Sequence, residues 1–202
     1  MIFLLINVEV KVYTPRKIDE TDVEQPQFCE DNARELSEPV SYLPISHGIS
    51  NRIDEKQLDL IVLSLRRAII GQESDYNYKA VNVHSGALGF AQVMPFNIAP
   101  WSKEALGYEI TPKQFLENPE LQLKIIDFKV GQYLQNALKA SNGDLDIAVM
   151  RVAAQWYSGN PRLYKSTKIQ WYKGHPYPSI NEYSKSVLHK FHQELKMTLT
   201  VI

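Results

Sequence analysis

The stretch DEKQLDLIVLSLRRAIIGQES, residues 54–74, decides the fold class. Asp54 followed by Gln57 is a capping pair, in which the first side chain accepts from a backbone N–H three residues on and the second reaches back to the start of the helix. Leu58, Ile61, Val62, Leu65 and Ile69 then recur at helical spacing, so the segment predicts a helix with one buried face that runs to about Gly71 or Glu73. Glu73 follows Ile69 by four residues and Leu65 by eight. If the helix holds that far, a carboxylate projects from the buried stripe and must be hydrogen-bonded, paired or protonated. Desolvation raises a carboxylate pKa, which is what a general acid working near neutral pH requires. If the helix frays at Gly71 instead, Glu73 is a solvated terminal residue.

Downstream the same helical signals repeat. Thr111-Pro112 with Gln114, and Asn118-Pro119, each place a capping side chain before a proline in the first turn. The second of these opens a long helix through Leu121, Ile125, Phe128 and Leu134, which Asn142-Gly143 ends. Asp144 starts another helix with the stripe Leu145, Ala148, Val149, Val152, Ala153 and Trp156, stopped by Gly159-Asn160-Pro161. Ser179 with Glu182 is a capping box for a last helix whose stripe is Tyr183, Val187, Phe191 and Leu195. The expected class is mainly α.

The composition agrees with a globular chain. Its 202 residues carry 22 Lys plus Arg against 23 Asp plus Glu, and 44% are hydrophobic, which excludes collagen-like, disordered and disulfide-rich classes. A net charge of −1 and a pI near 6.5 provide no field that would gather nucleic acid or an anionic membrane surface. Cys29 is the single cysteine, so neither an internal disulfide nor a cysteine zinc cluster can form.

Upstream of residue 51 the text changes character. Met1 to Ile6 is apolar but lacks a basic region and a clear cleavage site, and falls far short of the ~20 residues that span a bilayer. It reads either as part of a short strand over Ile2 to Val12 or as the remnant of a signal that begins upstream. From Thr14 to about Ser50 the chain is polar, carries four prolines and has no sustained period, as expected of a linker or adaptable arm. The expected organisation is therefore a strand and arm over residues 1–50, followed by one helical domain over 51–202.

Two further segments can carry chemistry. In Gly86-Ala87-Leu88-Gly89-Phe90-Ala91-Gln92-Val93-Met94-Pro95 the glycines permit close backbone approach to a ligand, and Gln92 offers a donor and an acceptor to sugar hydroxyls and amides. The bland alternative is a loop leading into a helix, with Phe90 and Met94 in the core. In Gln155-Trp156-Tyr157-Ser158-Gly159, Trp156 continues the core stripe and Tyr157 can donate a phenol hydrogen bond to a buried carboxylate, or both rings simply pack. Beyond it, Tyr164, Trp171, Tyr172 and Tyr177 lie with Arg162, Lys165, Lys168 and Lys173 in an aromatic-rich loop without clear periodicity, suited to sugar-ring stacking or to burial for stability.

The order Glu73-Ser74, then Gly89-Phe90-Ala91-Gln92-Val93-Met94-Pro95, then Trp156-Tyr157-Ser158-Gly159, then Tyr183 resembles the soluble lytic transglycosylase domain, which is related to goose-type lysozymes. The likeness spans Leu58 to Leu188, about two-thirds of the chain. Each motif is loose, and the ordered set is what is specific. Phe90 and Ala91 stand where the family has Leu-Met, and the third motif is one residue shorter than the family's Ala-Tyr-Asn-Ala-Gly, with Ser158 in place of asparagine. The resemblance implies a lysozyme-like helical domain with an N-terminal extension. It implies Glu73 as the catalytic acid/base, Ser74, Gln92 and Met94 along the substrate cleft, and Tyr157 with Tyr183 orienting or polarising Glu73.

Most glycosidases use two carboxylates on opposite sides of the bond. Here only Glu73 stands in a motif, and Asp75 points elsewhere if the segment is helical. The resemblance accordingly implies a route assisted by the substrate, in which one glutamate cleaves the MurNAc-GlcNAc β-1,4 bond of peptidoglycan and leaves 1,6-anhydro-MurNAc ends. The rivals are a hydrolytic muramidase and a glycan-binding or assembly module without turnover. His189 and His192 with His175 make a poor zinc signal, so no metal and no cofactor is expected. Peptidoglycan glycan strands are the expected partner, with no nucleic acid, no stable membrane insertion and a monomeric state. The expected location is the cell envelope or periplasm, or a phage particle, although no complete signal peptide is visible.

Overall fold

The computed structural model describes residues 54–172 and 174–200, and it is mainly helical. The strand expected over Ile2 to Val12, the arm over 14–50 and Cys29 lie outside the described residues. The order is α1 (Glu55–Glu73), α2 (Pro95–Leu106), α3 (Pro112–Glu117), α4 (Pro119–Ala140), α5 (Leu145–Ser158), a single 3-10 turn (Pro161–Leu163), β1 (Gln170–Tyr172), β2 (His175–Tyr177) and α6 (Ile180–Thr200).

The helix starts follow from the caps. Asp54 accepts from the Gln57 N–H at 2.7 Å while the Asp54 N–H donates to Gln57 Oε1 at 3.2 Å, so two otherwise orphaned donors are satisfied at the head of α1. Thr111 with Gln114 repeats this box on α3, and Asn118 and Asp144 cap α4 and α5. Ser179 and Glu182 form the same reciprocal pair at the start of α6. At the other end of α5 the chain turns through Gly159, φ 74°, a left-handed conformation that costs glycine little.

Two apolar clusters follow from the helical stripes. The larger joins α1, α4, α5 and α6 through Leu65, Ile69, Ile126, Val130, Val149, Val152, Val187 and Phe191, all essentially without solvent exposure. The smaller joins the 88–93 segment to α2, α3 and α4 through Leu88, Val93, Ile98, Phe115 and Ile125. Trp156 packs against both. Each fully buried Leu, Ile, Val or Phe stabilises the fold by roughly 1.5–3 kcal/mol relative to leaving it exposed. No helix among the described residues is long and apolar enough to cross a membrane.

Two segments have no counterpart in the helical pattern. Residues 74–94 form a loop crossed by the isolated antiparallel bridges Val81–Leu88 and Leu88–Val93. The aromatic-rich segment after α5 holds a short antiparallel hairpin that pairs Gln170 with Tyr177, Trp171 with Pro176 and Tyr172 with His175, turning at Gly174, φ 82°. Strands of three residues are too short to display a period of two, which is why the sequence pattern carries no trace of them.

Candidate active site

Glu73 is the last residue of α1, so the helix holds through Gly71. Ser74 fastens its end: the Ser74 N–H donates to the Ile70 carbonyl at 3.1 Å, and Ser74 Oγ donates to the Phe90 carbonyl at 2.7 Å. The chain then reverses through Asp75 and Tyr76, with φ of 49° and 63°. Two consecutive left-handed residues other than glycine carry backbone strain. Tyr76 is anchored through it, its hydroxyl donating to Glu194 Oε1 at 3.0 Å and lying 3.3 Å from the Arg67 carbonyl. Asp75 is exposed in this turn.

Glu73 itself is mostly enclosed, and α6 supplies its partner. The buried Tyr183 hydroxyl donates to Glu73 Oε1 at 2.5 Å. Burial pushes the Glu73 carboxyl up from 4.5 to about 7, and the Tyr183 hydrogen bond offsets part of that rise by favouring the ionised form. Burial and the nearby Glu73 charge both push the Tyr183 phenol far above its ordinary value, so it remains a donor across the working range. A carboxyl near 7 is present in both protonation states at neutral pH, which suits one group to give a proton and then recover one.

Tyr157 does not make the bond to Glu73 that the sequence led us to expect. Its hydroxyl donates to the Pro178 carbonyl at 3.0 Å, and its ring stacks on Tyr183 with centroids 4.3 Å apart and planes 9° from parallel. The connection over residues 159–179, with its 3-10 turn and hairpin, returns to the end of α5, so Tyr157 meets the start of α6 and Tyr183 reaches the carboxylate. Burial and the charge of Glu73 push the Tyr157 phenol up to about 12.

The 86–95 segment is held beside this pair by side chains from α4, from α5 and from Ser74 just after α1. Ser74 takes the Phe90 carbonyl, and Trp156 Nε1 donates to the Ala91 carbonyl at 3.0 Å. Gln122 on α4, wholly buried, accepts from the Phe90 N–H at 2.8 Å and donates to the carbonyls of Tyr78 at 2.9 Å and Phe115 at 3.0 Å. Gly89 is required there: its φ is 74°, and a Cβ on it would lie 2.1 Å from Gln122 Oε1. Sequence reading missed Gln122. The available signal was a glutamine on the face of α4 that also carries Ile125, Ile126 and Val130, where a polar group must find partners.

Gln92 and Met94 sit in the same segment. Gln92 adopts φ 49° and donates through Nε2 to the Gly89 carbonyl at 3.1 Å and toward that of Ala80 at 3.4 Å, so its amide nitrogen is engaged inside the loop. Met94, partly buried, precedes Pro95 at the start of α2. The structure thus brings Glu73, Tyr157 and Tyr183 into one cluster and ties Ser74 to Gln92's loop through Phe90. The three histidines go separate ways: His175 lies against His84 with ring centroids 4.4 Å apart, His189 contacts Gln193, and His192 pairs with Asp146 at 3.1 Å.

The family model described as Transglycosylase SLT domain matches residues 52–154, just over half of the chain. The match takes in Glu73, Ser74, Gln92 and Met94 and ends before Tyr157 and Tyr183. No curated protein and no solved structure matches the chain.

Proposed function

We propose, for a chain that belongs to the transglycosylase SLT domain family of peptidoglycan-cleaving proteins, that it is a lytic transglycosylase using Glu73 as its one acid/base. The observation that carries this reading is the enclosed Glu73 carboxyl, raised to about 7 and held at 2.5 Å by Tyr183. In the first half of the reaction Glu73 protonates the glycosidic oxygen of the MurNAc-GlcNAc β-1,4 bond, while the N-acetyl group of muramic acid supports the developing oxocarbenium charge. In the second half the carboxylate takes the proton of the 6-hydroxyl, which attacks C1 and closes the 1,6-anhydro ring. Glu73 returns to its starting state, and no second carboxylate, metal or cofactor enters the cycle. Ser74, Gln92 and Met94 line the glycan cleft in this reading, and Tyr157 acts through Tyr183. The substrate places the protein in the cell envelope or periplasm, or on a phage particle that meets the wall, where it works as a monomer.

Mass spectrometry of the products from purified sacculi tests it. Anhydro-terminated muropeptides, lighter by one water than hydrolysed ones, are the expected result. Reducing ends in their place would assign a muramidase, and intact sacculi with retained glycan binding would assign a module without turnover.

A further inference from the structure

We infer that the cavity between α4, α5 and the 3-10 turn binds a carboxylate of the peptide stem carried by the wall glycan. The inference rests on the reading of the substrate as peptidoglycan. The cavity measures about 440 Å³, and Tyr133 and Asn136 from α4, Arg151 and Gln155 from α5, and Pro161 and Arg162 from the turn contribute to its lining, which includes no acidic residue. Glu73 is not part of it.

The four described arginines divide into two pairs. Arg66 and Arg67 on α1 have carboxylate partners, Asp127 at 2.6 Å and Glu194 at 3.9 Å. Arg151 and Arg162 have none within ion-pair distance among the described residues, and both line this one cavity. Arg151 is the stronger indicator. Its Nε is buried with no hydrogen-bond partner, and its guanidinium lies over the Tyr164 ring with Cζ 5.1 Å from the centroid. A fork-shaped cation placed over an aromatic ring, with an unused buried donor, matches a planar acceptor of opposite charge, and a carboxylate takes two such N–H groups at once. Two guanidiniums in an otherwise neutral wall suit a small anion better than a polyanion.

Arg151 precedes Tyr157 by six residues, about 9 Å along the helix axis at ~1.5 Å per residue. An extended five-residue stem spans up to roughly 17 Å, longer than that axial separation. The stem that docks belongs either to the strand in the cleft or to a neighbouring strand.

Titration of the full chain with a synthetic stem tetrapeptide, followed by NMR at the arginine Nε–H groups, tests the cavity directly. Binding to wild type is expected. Arg151→Gln and Arg162→Gln should each weaken it roughly tenfold or more, and amidating the peptide's carboxylates should do the same. Arg162 is exposed, so its variant keeps the test valid if Arg151→Gln fails to fold. Cleavage assays separate the two sources. If the stem belongs to the bound strand, both variants lose kcat/KM on single peptide-bearing strands and keep it on strands stripped of peptide by an amidase. If it belongs to a neighbour, single strands are cleaved normally and only intact multi-strand sacculi are cut more slowly. Failure of the peptide to bind wild type, or equal binding to wild type and both variants, overturns the inference. Peptide binding that depends on the two arginines in a protein that cleaves no glycan supports the cavity and overturns the lytic reading.

Discussion

In the proposed reaction one carboxyl group sets the chemistry, and the same group gives folding a pH dependence. Glu73 sits at about 7 in the folded protein against 4.5 as an ordinary carboxylate, with burial as the main cause. Its stabilising contribution is therefore full below about 4.5, where both states hold the proton, and is lost as pH rises through about 7, where the folded protein must bury a charge. Glu73→Gln keeps the shape and an acceptor for Tyr183 but cannot ionise. It should be more stable than wild type at pH 8 by up to roughly 3 kcal/mol, at ~1.4 kcal/mol per tenfold in acidity, and indistinguishable at pH 4. Denaturant unfolding at the two pH values checks this, and an equal difference at both would mean the carboxyl is not raised. The same variant should lose cleavage by at least roughly 10²–10⁴, since it lacks the transferable proton. Tyr183→Phe removes a donor worth about 1.5–3 kcal/mol, or roughly ten- to hundredfold in rate if the bond is made fully in the transition state. Without that donor the Glu73 pKa climbs further, so the alkaline limb of the pH–rate profile, where the acid form disappears, should move to higher pH. Tyr157→Phe loses only its bond to the Pro178 carbonyl and should leave that limb in place.

Helices were legible because their signals are local. The boxes at Asp54 and Gln57, Thr111 and Gln114, and Ser179 and Glu182 each join residues three apart, and the buried stripes lie on the same few turns. The 74–94 loop depends on partners far away in the chain, Gln122 and Trp156 among them, and no spacing rule announces these. Its order should therefore depend on those side chains. Gln122→Leu keeps the volume but leaves the Phe90 N–H and the carbonyls of Tyr78 and Phe115 without their partner, at a cost of about 1–3 kcal/mol for each group that stays dry. We expect a loss of roughly 3 kcal/mol or more, with cleavage reduced because the Phe90 carbonyl no longer holds Ser74 in place. Gly89→Ala should be comparably destabilising, since its methyl would lie 2.1 Å from Gln122 Oε1. The two positions touch, so adding Gly89→Ala to a Gln122→Ala background should cost less than adding it to wild type. Additive losses in that double-mutant cycle, read by chemical denaturation, would separate the two residues.

Across the whole chain, the ordered motifs pointed to one acid and its neighbours, yet they could not say which tyrosine touches it. Glu73 and Tyr183 are 110 residues apart, and only the packing of α6 on α1 and α5 decides that Tyr183 reaches the carboxylate while Tyr157 stacks behind it. The same packing bears on the proposed domain boundary near residue 50. Glu73, Ser74, the Gly89–Met94 segment, Tyr157 and Tyr183 all lie between residues 54 and 200, together with both apolar clusters that position them. Asp54 and Gln57 cap the head of α1 reciprocally, so a chain that begins at residue 51 retains the cap of its first helix. Removing residues 1–50 should therefore leave cleavage of short soluble muropeptides within about twofold of the full chain, a change of under ~0.5 kcal/mol in the barrier. Steady-state rates on a defined tetrasaccharide, with circular dichroism to verify folding, provide the check. A truncated protein that keeps its helical spectrum and melting transition but has lost activity on that substrate would place part of the first fifty residues in the cleft and move the boundary upstream.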